Sequence, residues 1–286
     1  MTGDRSPLDA GLAAKDRTLR AILGEMKRVL VAFSGGVDSA FLVKTAAEVL
    51  GKGVLAVVAA SETYPRREVE GALKMTGEWG IRCLLIHTRE MDDPAFTANA
   101  PDRCYRCKRE LFSTLRNMAA EEDIPFVLDG QNLDDREDYR PGSKAAEELG
   151  VRSPLQEARL TKVDIRELSR AMGLPTWNKP AMACLASRFP YHTAIDRRSL
   201  KQVGEAEEYL RGLGLEQVRL RHHGDVARLE FDPSDFGRVM EEGFRGDIVR
   251  RLKELGYLHV ALDLEGYRTG SLNDALKKRG SADGIS

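Results

Sequence analysis

Long apolar runs are absent from this 286-residue chain. The longest, such as Val54–Ala60, fall far short of the roughly 20 residues that a membrane helix needs. The opening segment, Met1–Lys15, carries Asp4, Pro7 and Asp9 and no apolar centre, so it does not read as a secretion signal. Cysteine is scarce: Cys83, Cys104, Cys107 and Cys184 are the four present, and in a chain this long they read as thiols or metal ligands rather than disulfides. An excess of charge is missing too. The 44 Lys+Arg against 45 Asp+Glu leave a net charge of -1, which argues against nucleic acid bound through bulk charge. Repeats and low-complexity segments are also lacking. What remains is a cytoplasmic globular protein, and 42% hydrophobic with 31% charged residues suits that class. At this length one or two domains bury roughly three quarters of the unfolded surface, core enough for an enzyme.

What is present is alternation. Residues 9–28 have helical spacing, and Arg28–Phe33 is a short apolar run that reads as a strand. A helix follows over Asp38–Leu50, then a strand at Val54–Ala60, a helix at Pro65–Gly80 and a strand at Arg82–His87. Lys108–Glu122 reads as helix, Pro125–Asp129 as a fourth strand and Val151–Leu155 as a fifth. Thr161–Met172 opens with Thr161 and Asp164 in a capping-box spacing and stops at Gly173. This pattern predicts an α/β fold, a parallel sheet flanked by helices. Beyond Pro190 the texture changes to helix 197–212, strands 217–223 and 226–231, helix 236–254 and strand 258–263. The expected division is therefore 1–190, a smaller α+β domain at 191–270, and a disordered tail at 271–286.

Ser34-Gly35-Gly36-Val37-Asp38-Ser39 lies between the first strand and the helix after it. Two glycines permit a tight turn with N–H groups aimed at an anion, two hydroxyls add donors, and the helix dipole favours negative charge. The loop is not a Walker A, which requires G-x-x-x-x-G-K-[ST]. Gly51–Ala56 fits a dinucleotide fingerprint by letters but precedes a strand instead of following one.

Cys104 and Cys107 form a C-x-x-C among Arg103, Arg106, Lys108 and Arg109, neighbours that favour thiolates. Cys184 lies far along the chain, and Cys83, inside an apolar strand, reads as a core thiol. For the other three, inert thiols, a zinc site, and a redox pair with a catalytic cysteine stay open. The leading reading is a three-cysteine iron–sulfur cluster whose open iron could hold an extra sulfide.

Ser34–Ser39 resembles the pyrophosphate loop of the N-type ATP pyrophosphatases, whose fold is of the adenine nucleotide α-hydrolase type. That resemblance implies ATP cleaved between its α and β phosphates, with the leaving pyrophosphate held by the loop and Mg2+. It implies that Asp38 supports this arrangement and that Ser61 lies near the adenosine. Asp129–Asp135 resembles a second loop on the nucleotide side. Over Leu19–Leu264, the blocks Phe33–Phe41, Arg103–Phe112, Asp129–Arg136 and Cys184–Tyr191 are similar to one family. It is that of the ATP-dependent sulfur transferases of nickel-pincer nucleotide biosynthesis, the cofactor of lactate racemase. The family adenylylates the carboxylates of pyridinium-3,5-biscarboxylic acid mononucleotide and replaces oxygen by sulfur. In some members the cysteine matching Cys184 is consumed and becomes dehydroalanine. The additional Cys104 and Cys107 resemble the subtype in which three cysteines hold a [4Fe-4S] cluster, so Cys104, Cys107 and Cys184 are both the metal-ligand and the catalytic candidates, with Asp38.

A mononucleotide acceptor needs a second phosphate site. Arg188 follows Cys184 closely, and Arg219 and Arg221 share one strand face by period-two spacing, an arrangement suited to phosphate. A solvated basic edge strand is the alternative. By the resemblance, Glu207 and Glu230 are acidic partners or metal ligands. His222 and His223 read as surface residues, and Trp177 and Tyr105 as packing. The competing functions are a tRNA thiolase and a non-catalytic nucleotide or cluster sensor; an ammonia-using ligase would leave the cysteines without a role. The resemblance also suggests a homo-oligomer, with a hexamer as one candidate, while the physiological sulfur source is unknown.

Overall fold

The computed structural model describes residues 9–136, 141–180, 183–268 and 270–273. Two compact units divide the chain, one comprising residues 1–96 and 101–182, the other residues 97–100 and 183–286.

The first unit runs α1 (Ala10–Met26), β1 (Val29–Ala32), α2 (Val37–Leu50), β2 (Val54–Ala60), α3 (Arg66–Glu78) and β3 (Cys83–His87). It continues with α4 (Pro94–Thr97), α5 (Arg103–Glu121), β4 (Phe126–Leu128), α6 (Pro141–Glu148), α7 (Pro154–Glu157) and α8 (Lys162–Ala171). The four strands are parallel in the order β3-β2-β1-β4. Strand periodicity decides the two faces. Val29, Val31, Ala56 and Val58 join Leu19, Leu23, Phe41, Leu42 and Ile165 in one buried cluster. Leu30, Leu55 and Val57 point the other way, into Leu111, Phe112, Leu115 and Ala146. The sheet thus has α1, α2 and α8 on one side and α5 and α6 on the other. Each large side chain fully buried there contributes roughly 1.5–3 kcal/mol. From β1 the chain builds outward through β2 and β3, then returns to place β4 on β1's other edge. The loops after β1 and β4 therefore flank the reversal of strand order, where open parallel sheets take their ligands.

The second unit carries α9 (Arg197–Gly212), β5 (Val218–His223), β6 (Val226–Phe231), α10 (Phe236–Met240), α11 (Glu242–Glu254) and β7 (His259–Leu262). Its sheet, ordered β5-β6-β7, is antiparallel across β5–β6 and parallel across β6–β7. Among the described residues no helix is long and apolar enough to cross a membrane.

Several expectations change. Val151–Leu155 is not a strand: only Arg152 bridges to Leu128, and Pro154, lacking an N–H, turns the chain into α7. The helix expected over 236–254 breaks at Glu241, whose ψ of 133° is extended. Gly237, Gly243 and Gly246 weaken helix propensity along that stretch. Helix α5 begins at Arg103, five residues before the expected start, so the C-x-x-C lies within its first two turns. Cys83 is half-buried because β3 is an edge strand. His222 is buried, not superficial, with Nδ1 3.1 Å from the Tyr257 hydroxyl. From residue 274 onward the expected tail lies outside the described residues.

Candidate functional site

The loop after β1 is a tight, glycine-bearing turn that leads into a helix N-terminus. Gly35 has φ +71°, a left-handed conformation that favours glycine, and a Cβ there would come 3.1 Å from the Ala72 Cβ. Gly36 is the N-cap of α2 and supplies no side-chain cap, so first-turn N–H groups of this 14-residue helix remain for a ligand. The hydroxyls of Ser34 and Ser39 lie 3.0 Å apart, and the Ser34 N–H donates to Ser39 Oγ at 3.3 Å, closing the turn. The loop after β4 lies against it: a Cβ on Gly130 would stand 3.0 Å from the Ser39 backbone nitrogen. These features fit the triphosphate of ATP.

Asp38 sits in the first turn of α2. Burial pushes its carboxyl above the usual range, against the pull of Lys162, whose ammonium donates to Oδ2 at 2.6 Å. Its Oδ1 is buried, and the Asn132 side chain is close enough to favour the charged carboxylate. A buried carboxylate beside this loop suits a hard cation such as Mg2+. A second lysine reaches the same loop. The Lys179 ammonium donates to the Gly35 carbonyl at 2.9 Å and pairs with Glu68 at 2.6 Å. Sequence reasoning missed both lysines and Glu68. Lys179 stands immediately before Pro180 in the segment leading to Cys184, which was the one available signal; Lys162 follows the α8 cap and gave none.

Ser61 directly follows β2. Its hydroxyl donates to Glu90 Oε1 at 2.5 Å, and the buried Thr63 hydroxyl donates to the same oxygen at 2.6 Å. Glu90 itself is buried after β3 and was not foreseen. Asp129 is held by the Ser153 hydroxyl at 2.7 Å and the Gln131 amide at 2.5 Å, which fixes the loop bearing Gly130.

The cysteines are thiols. Cys104 is exposed and Cys107 half-buried, three residues apart on α5, so one helical turn presents both to the same side. The Tyr64 hydroxyl lies 4.0 Å from the Cys107 sulfur. Cys184 belongs to the second unit and precedes the short 3-10 turn Leu185–Arg188. The two thiols of α5 are suitable cluster donors in kind. Among the described residues no group of three or more His, Cys, Asp or Glu side chains stands together as metal ligands.

In the second unit the predicted arginines and glutamates come together. Arg188 is wholly buried and donates to both carboxylate oxygens of Glu207, at 2.8 and 2.9 Å. Its Nη1 also donates to the carbonyls of Ala183 at 3.0 Å and Cys184 at 3.2 Å. Burial alone would raise the Glu207 carboxyl; the charges of Arg188 and Arg211 and the Leu220 N–H hold it down at about 2. Arg221 pairs doubly with Glu230, at 2.8 and 2.7 Å, and donates to the Ser187 carbonyl at 3.0 Å. Arg219, on the same strand face, lies 5.0 Å from the Tyr267 ring centroid; burial, with Arg188's like charge, lowers its guanidinium to about 10. The turn after Cys184 is thus pinned by two guanidiniums, with a third on the strand beside Arg221. Arg211 and Tyr267 are members of this cluster that the sequence did not disclose.

Fold and loop together define an α/β protein with a glycine-bearing turn and a helix N-terminus at the reversal of its strand order. No protein-family model matches the chain. It is 42% identical, over 94% of its length and 97% of the relative's, to the pyridinium-3,5-bisthiocarboxylic acid mononucleotide synthase of Lactiplantibacillus plantarum. An uncharacterized protein of Synechocystis sp. is 44% identical over 93% of this chain and 100% of its own. Another, from Methanocaldococcus jannaschii, is 27% identical over 85% of this chain and 92% of its own. The chain belongs to the pyridinium-3,5-bisthiocarboxylic acid mononucleotide synthase family, the sulfur transferases of nickel-pincer cofactor synthesis.

Proposed function

We propose that this enzyme converts pyridinium-3,5-biscarboxylic acid mononucleotide into its bisthiocarboxylic form, using ATP. The observation that carries the reading is the 42% identity, across nearly the whole chain, to a synthase of that product. The anion-binding loop supplies its physical counterpart. A substrate carboxylate oxygen attacks the α-phosphorus of ATP, the bond to the β-phosphate bridging oxygen breaks, and pyrophosphate leaves. Ser34–Ser39 receives the pyrophosphate through backbone N–H groups and hydroxyls, Asp38 supports Mg2+, and Ser61 lies on the adenosine side. Sulfur then displaces AMP from the acyl adenylate, leaving a thiocarboxylate. Arg219 and Arg221 serve the phosphate of the mononucleotide, whereas Arg188, expected from the sequence to do the same, is wholly buried on Glu207 and instead holds the turn after Cys184 in place. The contact of Arg221 on the Ser187 carbonyl favours this assignment, because it ties the candidate phosphate-binding strand to the cysteine-bearing turn. The same reading takes the protein to be a cytoplasmic homo-oligomer.

A [4Fe-4S] cluster on Cys104, Cys107 and Cys184 is the proposed source of sulfur, and when bound it would supply a sulfide. The alternative donor is Cys184 itself, which would lose its sulfur and the α-proton and become dehydroalanine. Pyrophosphate release that depends on the mononucleotide tests the first step; release that ignores the mononucleotide would contradict it. Anaerobic reconstitution with iron and sulfide tests the donor. Iron uptake lost in Cys104→Ala, Cys107→Ala and Cys184→Ala, and kept in Cys83→Ala, supports the cluster. No uptake in the wild type returns the role to Cys184, and mass spectrometry after one turnover then shows that residue lighter by the elements of hydrogen sulfide.

A further inference from the structure

The Lys179–Glu68 pair has no place in the steps above, yet it sits on the loop that receives the pyrophosphate. Glu68 lies in the first turn of α3, and that turn lies against the loop: a Cβ on Gly35 would stand 3.5 Å from the Glu68 carbonyl oxygen. The Lys179 ammonium touches both sides of this contact, the Gly35 carbonyl at 2.9 Å and the Glu68 carboxylate at 2.6 Å. An ammonium has three donors, and these two contacts use two. Both side chains are mostly shielded, at 24% and 13% exposure, so the pair is screened less than a surface one. A cation held against the backbone of an anion-binding turn by one carboxylate is in competition: an arriving polyphosphate offers several anionic oxygens in place of one.

We propose that Lys179 is a phosphate-binding residue of the loop, kept in place and neutralised by Glu68 until the β and γ phosphates of ATP, or the released pyrophosphate, draw the ammonium away. This assignment rests on the ATP reading of Ser34–Ser39. It gives the two partners of one ion pair opposite roles. Lys179 binds the anion, whereas Glu68 competes with it for the same ammonium and repels its charge. A pair that merely braced the loop would give both residues the same sign, because losing either partner would loosen the turn.

The test is calorimetric titration of the full chain with inorganic pyrophosphate and Mg2+. Lys179→Met is expected to weaken binding tenfold or more, and Glu68→Gln to tighten it several-fold. Binding unchanged in Lys179→Met, or weakened in both variants, would overturn the assignment while leaving the loop's ATP reading intact. A wild type that binds neither pyrophosphate nor ATP overturns the ATP reading, and the assignment with it. Should Lys179→Met fail to fold, Glu68→Gln decides alone: weaker binding than wild type removes the proposed competition.

Discussion

The guanidinium of Arg188 and the carboxylate of Glu207 meet through two hydrogen bonds, with both side chains wholly buried. Such a pair is worth little net, since two desolvated charges offset most of their attraction, but breaking it is expensive. Glu207 also pairs with Arg211 at 2.6 Å and accepts the Leu220 N–H at 3.0 Å, so it is the centre of the cluster. Glu207→Gln therefore leaves two guanidiniums without their anion and should destabilise the protein by about 3–5 kcal/mol. Arg188→Met should cost less, because Arg211 still covers the carboxylate. Urea unfolding of the two variants checks this order; equal losses would contradict it.

The same carboxylate sets an acid limit. Its folded value is depressed from 4.5 to about 2, so its stabilisation is complete above pH 4.5 and is lost as the pH falls toward 2. A shift of that size corresponds to about 3 kcal/mol. Unfolding measured across that window should show wild type losing stability faster than Glu207→Gln, so that the gap between them narrows with acid. A constant gap would mean that Glu207 is not the group being titrated.

Close approach of two loops explains Gly130. A methyl group there would press within 3.0 Å of the Ser39 nitrogen and 3.2 Å of its Cα, both backbone atoms with nowhere to yield. Gly130→Ala should cost roughly 1–3 kcal/mol by overpacking and should also displace the N-terminus of α2. Nucleotide binding by calorimetry should therefore weaken by more than the loss in melting temperature alone accounts for. Retained affinity would show that the two loops need not touch.

The cap of helix α8 tests the local reading. Thr161 accepts from the Asp164 N–H at 3.2 Å, and Asp164 accepts from the Thr161 N–H at 2.9 Å, a reciprocal cap. Thr161→Ala should lower stability by about 1 kcal/mol. The loss should appear in thermal melts; an unchanged melting temperature would show that the cap contributes nothing.

That cap was legible in the sequence because its partners are three residues apart. The β1–loop–α2 unit was legible for a similar reason: an apolar run, two glycines and a helical spacing agree within a short stretch. Val151–Leu155 misled because its apolar ends, Val151 and Leu155, are both buried as they would be in a strand, while Pro154 stops the ladder after Arg152. Lys179 on Gly35 and Lys162 on Asp38 join residues 144 and 124 apart, and no local periodicity reports such pairs. The Arg219–Arg221 face was visible from alternation, but the burial of Arg188 against Glu207 was not, since charge patterns usually signal solvent.

The central claim is sulfur insertion into a pyridinium mononucleotide, and mass spectrometry of the product tests it most directly. Purified protein, supplied with pyridinium-3,5-biscarboxylic acid mononucleotide, ATP, Mg2+, and iron and sulfide under anaerobic conditions, should yield species in which one and then two oxygens are replaced by sulfur, with AMP and pyrophosphate formed alongside. Hydrolysis of ATP with the mononucleotide recovered unsulfurated, or sulfur found in tRNA instead, would contradict the account.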